Sequence, residues 1–92
     1  MIVSPTKIRR LARLRVRIAV YFGQIKSAKA LNVKCCDCDN RATCYDHRDY
    51  REPLEIVPVC VSCNAKRGQG YPPVDGPDVE IDWVHQPLAA MI

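Results

Sequence analysis

Cys35-Cys36-Asp37-Cys38, then Asp46-His47, then Cys60-Val61-Ser62-Cys63-Asn64: residues 35–64 set two Cys-x-x-Cys pairs on either side of an Asp-His dipeptide. Four thiolates in two close pairs meet the needs of a structural zinc ion, which takes soft ligands in a closed tetrahedron. Asp46, His47 and Asn64 differ in kind. Their oxygens and imidazole suit hard cations and proton transfer, which a purely structural zinc does not require beside it. Cys36 and Cys44 complete the six cysteines. Both read as packing thiols near the cluster, although either lies close enough in sequence to displace a ligand. Cys36 and Cys38 would make a poor clamp, because one residue separates them.

Working outward, 92 residues make one small domain, and seven Pro and four Gly leave little length for a large core. Such a chain needs a staple, which a metal provides. A three-disulfide secreted scaffold is the alternative use of six cysteines. The paired spacing argues against it, as does an Arg-rich start whose apolar run, Ile18 to Phe22, is too short for a signal peptide. Scarce Ser argues against a mitochondrial transit peptide. A reducing, cytoplasmic setting is expected. No apolar run reaches membrane-spanning length.

The net charge of +4 conceals an asymmetry. Residues 1–36 hold nine Lys or Arg and no acid, whereas residues 68–92 hold Asp75, Asp78, Glu80 and Asp82 and no Lys or Arg. A basic arm joined to a metal site points to a polyanionic partner, nucleic acid first. The acidic tail is expected to stay clear of it.

Pro5 and Thr6 open a predicted helix whose apolar stripe is Leu11, Leu14, Ile18, Phe22 and Ile25, with Arg9, Arg10, Arg13 and Arg17 opposite. Alternation over Arg13 to Ile18 also suits a strand, but the longer stripe favours helix. Residues 34–46 read as a zinc knuckle with turn chemistry from Asp37, Asp39 and Asn40. Strands are predicted over Ala42 to Tyr45 and Leu54 to Val59, with Pro58 marking an edge or an end. A short helix is predicted over Cys60 to Arg67, stopped by Gly68. Val79, Ile81 and Trp83 alternate with acids, as in a short strand folding back on the domain. Trp83 and Tyr71 read as packing residues and His85 as a surface or packing residue. Three segments follow: a basic N-terminal helix or arm over 1–33, a zinc-bound core over 34–70, and an acidic, Pro-rich extension over 71–92.

Cys-x-x-Cys, a hairpin, Asp46-His47-Arg48-Asp49-Tyr50-Arg51-Glu52-Pro53-Leu54 and Cys60-Val61-Ser62-Cys63-Asn64-Ala65-Lys66-Arg67-Gly68 resemble the HNH endonucleases, or ββα-metal nucleases, especially the small proteins of this type from tailed phages. The resemblance covers about residues 14–70. It implies a small α+β fold, a zinc-stapled ββα-metal core behind the basic helix, and metal-dependent nicking of DNA. It further implies that Cys35, Cys38, Cys60 and Cys63 hold structural Zn²⁺. His47 would be the general base, with Asp46 and Asn64 on a catalytic Mg²⁺ or Mn²⁺. Two positions depart from the family pattern: Glu55 stands where the family's middle Asn is usual, and Asn64 replaces its last His.

The adjacency of Asp46 and His47 sets a geometric condition, since neighbours on a strand face opposite ways. A twist or a strand end must bring both to one phosphate. Arg48, Arg51, Lys66 and Arg67 flank the site, and with Arg10, Arg13 and Arg17 they are candidate DNA contacts. The competing reading is a catalytically inactive zinc-ribbon module that binds DNA or protein, such as a phage regulator or packaging accessory. A larger phage protein would then be a second partner. The three residues Asp46, His47 and Asn64 discriminate, since a binder has no use for all of them together.

Overall fold

The computed structural model describes residues 1–83, so the expectation for His85 lies outside the described residues. Ser4 and Pro5 open the first helix, α1 (Pro5–Tyr21). The Ser4 hydroxyl accepts the Lys7 N–H at 3.1 Å, and Pro5 has no N–H to leave unpaired in the first turn. The helix stops where Gly23 takes a φ of 76°, a conformation that costs glycine nothing. The predicted continuation of the stripe to Ile25 is therefore not helical.

The packed face also differs from the predicted stripe. Ile8, Ala12, Val16 and Ala19 are buried along α1, whereas Leu14 and Phe22 are 46% and 41% exposed. The two alanines let the helix backbone approach its neighbours closely, so small residues rather than the bulky ones mark the buried side. Arg9, expected on the solvent side, is 5% exposed. It donates to the carbonyls of Pro5 (3.3 Å), Gly70 (3.4 Å) and Pro72 (2.7 Å) and stacks over Tyr50 at 5.2 Å. Neutral carbonyl acceptors and an aromatic face make its burial tolerable.

The centre of the fold is an antiparallel pair, β2 (Cys44–His47) and β3 (Ile56–Val59), with Cys44 opposite Val59 and His47 opposite Ile56. Both begin two residues later than predicted. Ala42 is used instead to bond the Val33 carbonyl at 2.9 Å, and Glu55 closes a turn on Glu52 at 3.1 Å. Pro58 is accommodated because a two-stranded sheet is all edge. Next comes α3 (Val61–Arg67), capped by Cys60, whose sulfur accepts the Cys63 N–H at 3.4 Å, and ended by Gly68 at a φ of 68°.

A second small sheet joins the ends of the described chain. β1 (Ile2–Val3) pairs antiparallel with β4 (Val79–Glu80), so the predicted fold-back strand exists and its partner is a strand the sequence reading missed. A one-turn helix, α2 (Ala28–Leu31), was also missed. Its signals were present: Ser27 accepts the Ala30 N–H at 3.2 Å, and Asn32 closes it in the left-handed region. No described helix is long and apolar enough to cross a membrane.

Two small cores result. Val3, Ile8, Ala12, Tyr50 and Ile81 form one, with Leu11, Val79 and Trp83 packed against it. Cys35, Val59, Cys60 and Cys63 form the other, with Cys38, Cys44 and Val57 alongside. Trp83 packs as expected and donates its indole N–H to the Arg51 carbonyl at 2.9 Å.

Gly70 sits where the segment after α3 crosses the end of β2. A Cβ there would collide with the His47 carbonyl oxygen and lie 2.7 Å from that of Arg48, all backbone that cannot turn aside. Gly70→Ala should therefore cost about 1–3 kcal/mol, the range for overpacking a fixed site. Urea unfolding checks this, and an unchanged midpoint would refute the account.

Candidate metal centre and adjoining cleft

Cys35, Cys38, Cys60 and Cys63 come together because each pair sits at a tight local structure. Asp37 N–H turns back on the Cys35 sulfur at 3.4 Å, and the Cys35 N–H bonds the Asn40 carbonyl at 2.7 Å, which shapes the first knuckle. The second pair spans the first turn of α3. β2 and β3 bring the knuckles side by side, with the Cys36 N–H on the Pro58 carbonyl at 3.1 Å.

All four sulfurs lie within 4.8 Å of one another. Zinc–sulfur bonds of about 2.3 Å in a tetrahedron put sulfurs about 3.8 Å apart. Cys38 and Cys60 are 3.7 Å apart. The residues therefore fit a structural Zn²⁺. The thiols are electrostatically linked. Burial resists ionisation of Cys35, but the N–H groups of Cys60 and Asp37 and the neighbouring thiols outweigh it and hold the group at about 6. Hydrogen bonds that the Cys63 thiol donates to Cys38 and Cys60, with burial, push it up to about 12. Four thiolates this close repel, and a bound cation is what lets them ionise together.

All six cysteines are free thiols in this structure, and four of them gather at one point as metal ligands do rather than as a disulfide ladder. Cys36 and Cys44 lie outside the cluster. The Cys44 thiol bonds the Val59 carbonyl at 3.4 Å, and Cys36 contacts Asp37 and Arg67.

Beside the cluster lies a cleft of about 440 Å³. Asp46, His47 and Asn64 all line it, as do Arg13 and Arg17 from α1. Both adjacent side chains reach the cleft at a strand end, since β2 stops at His47 and both are buried there. His47 Nε2 lies 2.8 Å from the Pro53 carbonyl oxygen. A carbonyl only accepts, so Nε2 carries the proton and Nδ1 keeps its lone pair. Burial pushes the His47 pKa below the usual imidazole value, outweighing the Pro53 carbonyl and Asp46, which pull the other way, and Arg13 adds to the lowering. His47 is thus neutral at neutral pH and able to accept a proton. The Tyr50 ring packs against it, centroids 5.2 Å apart.

Asp46 is tightly held. Arg48 Nε and Nη2 reach its two oxygens at 2.6 and 2.9 Å, and Arg67 Nη1 reaches Oδ2 at 3.0 Å. A carboxylate offers about four acceptor positions, of which these bonds take three. One position on Oδ1 remains. Asn64 lines the same cleft. Among the described residues, the cysteine cluster is the only group of three or more His, Cys, Asp or Glu ligand atoms close enough to share an ion.

The predicted DNA-contact residues divide in two. Arg10, Arg13, Arg17 and Lys66 are exposed. Arg48, Arg51 and Arg67 are engaged within the protein. Arg48 also donates to the Arg67 and Gly68 carbonyls, at 3.2 and 2.8 Å. Arg51 pairs with Asp49 at 2.7 Å and stacks on Tyr71 at 4.4 Å. Arg67 pairs with Asp37 and Asp46. The sequence reading missed Arg9, Tyr50, Gly70 and the Pro53 carbonyl as parts of the His47 wall. A backbone carbonyl leaves no mark in a sequence, and Arg9 was hidden among surface arginines.

Comparison with protein-family models, with curated proteins and with solved structures finds no match. Over the described residues the chain is a small α+β domain with an N-terminal helix, two two-stranded sheets and a four-cysteine cluster that fits zinc.

Cys35→Ser or Cys60→Ser should abolish zinc binding and unfold the domain, whereas Cys36→Ser and Cys44→Ser should each retain about one zinc per chain. Elemental analysis with circular dichroism distinguishes the two groups. Zinc loss in Cys36→Ser would mean that the ligand set is wrong.

Proposed function

We propose that the chain is a metal-dependent endonuclease of the HNH type that nicks DNA one phosphodiester at a time. The observation that carries this reading is that Asp46, His47 and Asn64 line one cleft together with Arg13 and Arg17. The order of β2, β3 and α3 around a four-sulfur cluster supports the same family resemblance.

The chemistry follows from the residues. Arg13 and Arg17 present positive charge along one side of the cleft and hold the DNA backbone there. His47, neutral and aimed by the Pro53 carbonyl, takes a proton from water at Nδ1 as the water oxygen attacks phosphorus. The P–O bond to the departing sugar then breaks, and solvent protonates the released alkoxide. Asp46 and Asn64 would hold a divalent ion, which when bound supplies positive charge to the phosphate and leaving oxygens. Tyr50, buried against the His47 ring, keeps the base from swinging away. Arg10 and Lys66 extend the basic surface.

One observation favours a second reading, a zinc-stapled DNA-binding module without catalysis. Three of the acceptor positions of Asp46 are already filled by arginine, as in a carboxylate kept for structure.

Supercoiled plasmid incubated with Mg²⁺ or Mn²⁺ separates the two. The zinc-loaded wild type should relax it, and zinc-loaded His47→Ala should lose about 10²–10⁴-fold in rate. DNA binding without nicking under either metal would leave the binding module as the correct reading.

The base must be neutral to act, and burial holds its pKa below the ordinary imidazole value. The nicking rate should therefore be on its plateau at neutral pH and fall only as pH drops below that value. A rate still rising steeply above neutrality would show that His47 is not the group whose ionisation limits the reaction.

A further inference from the structure

Arg67 uses its guanidinium in three directions at once. Nε and Nη2 grip the carboxylate of Asp37, the latter at 2.8 Å from Oδ1. Nη2 also meets the Cys36 sulfur at 3.1 Å. Nη1 reaches Asp46 Oδ2 at 3.0 Å. Asp37 lies between Cys35 and Cys38, inside the first knuckle of the zinc cluster. Asp46 lies on the wall of the cleft. One rigid, planar group therefore spans from the metal knuckle to the cleft.

Arg48 holds the other side of the same carboxylate and is itself fixed to the last carbonyls of α3. It acts on Asp37 only through its charge and makes no hydrogen bond to the knuckle, so of these two arginines Arg67 alone makes the hydrogen-bonded connection. Ion pairs as solvent-accessible as Arg67–Asp37, 24% and 34% exposed, contribute little to stability. Asp46 is different, with a side chain only 4% exposed, so the geometry of its partners decides where its remaining acceptor position points. A guanidinium fixes two carboxylates in one plane, and a lysine ammonium, a point charge, does not.

We infer that Arg67 is a positioning residue that couples the zinc knuckle, through Asp37, to the Asp46 carboxylate in the cleft, and is not a DNA contact. The coupling stands on geometry. Its effect on turnover rests on the nuclease reading above. An intact knuckle then sets the aim of Asp46, and damage to the knuckle that spares the fold would still disarm the cleft.

The test uses the full, zinc-loaded chain and the variants Asp37→Asn, Arg67→Lys, Arg67→Met and Asp37→Asn/Arg67→Lys, with zinc content confirmed for each. The Arg48 Nε–H resonance in ¹⁵N NMR reports on the Asp46 carboxylate that it bonds. It should move in Asp37→Asn and in Arg67→Lys, and no further in the double variant. In plasmid nicking, the two single variants should each lower kcat about tenfold, as small misplacements do, with KM for DNA and salt dependence unchanged. The inference is overturned if Asp37→Asn leaves the Arg48 resonance in place. It is equally overturned if Arg67→Lys behaves as wild type while Arg67→Met weakens DNA binding and flattens its salt dependence, the signature of a phosphate contact. A wild type that never nicks, with the resonance still moving in Asp37→Asn, would sink the nuclease reading and leave the coupling standing.

Discussion

The four-sulfur cluster is the constraint on which the rest of this fold depends. The core around it contains one fully buried aliphatic side chain, Val59, and is otherwise built largely of cysteines. Such a core buries too little hydrocarbon to offset the entropy of ordering its knuckles and strands. Metal–thiolate bonds at this cluster would supply what burial does not, and would do so at one point. That point fixes β2, β3 and the start of α3 relative to one another. Because Asp46 and His47 end β2 and Asn64 follows Cys63 directly, fixing the cluster also fixes the wall of the cleft.

The opposite wall is attached differently. The helix α1 is held by a conventional apolar core and by a buried cation. Arg9 satisfies three of its donor contacts with carbonyls and presents its face to Tyr50, which in turn packs on His47. The cleft thus lies between a metal-stapled half and a hydrophobically packed half, and each half contributes part of the proposed chemistry. Proton acceptance and cation binding come from the stapled side, and the free basic charge of Arg13 and Arg17 from the helix. The pairing of β1 with β4 keeps α1 in place by tying the chain on both sides of it.

The arginines show how the same residue type acquires different roles. Arg13 and Arg17 stay exposed because they lie where α1 borders the cleft. Arg48 and Arg67 are one and three residues from site positions in sequence, yet their charge is spent on Asp46, Asp37 and the carbonyls at the end of α3. A buried carboxylate must be neutralised nearby, and these two arginines do so. Proximity in sequence to the proposed site made all of them candidates for DNA contact. Only the three-dimensional arrangement separates those with free donors from those already occupied.

Much of this was legible in the chain itself. Paired Cys-x-x-Cys spacing pointed to the four sulfurs, since ligands at such spacing can meet around a small ion, whereas the place of Cys36 and Cys44 stayed open until the structure set both outside the cluster. Turn residues and β-branched runs located β2, β3 and α3 within two residues. Other features were settled by tertiary structure. Bulky residues suggested a buried stripe through Leu14 and Phe22, but the close approach of α1 selected Ile8, Ala12, Val16 and Ala19. β1 is two residues long and exists only because Val79–Glu80 comes to meet it. The orientation of His47 depends on the Pro53 carbonyl, and the Gly70 requirement on the crossing of two backbone segments. Sequence by itself determined which chemical groups this protein owns and which of them a metal can gather. The tertiary structure decided which groups share the cleft and which charges remain free, because burial, backbone carbonyls and long-range ion pairs arise only once distant segments are brought together.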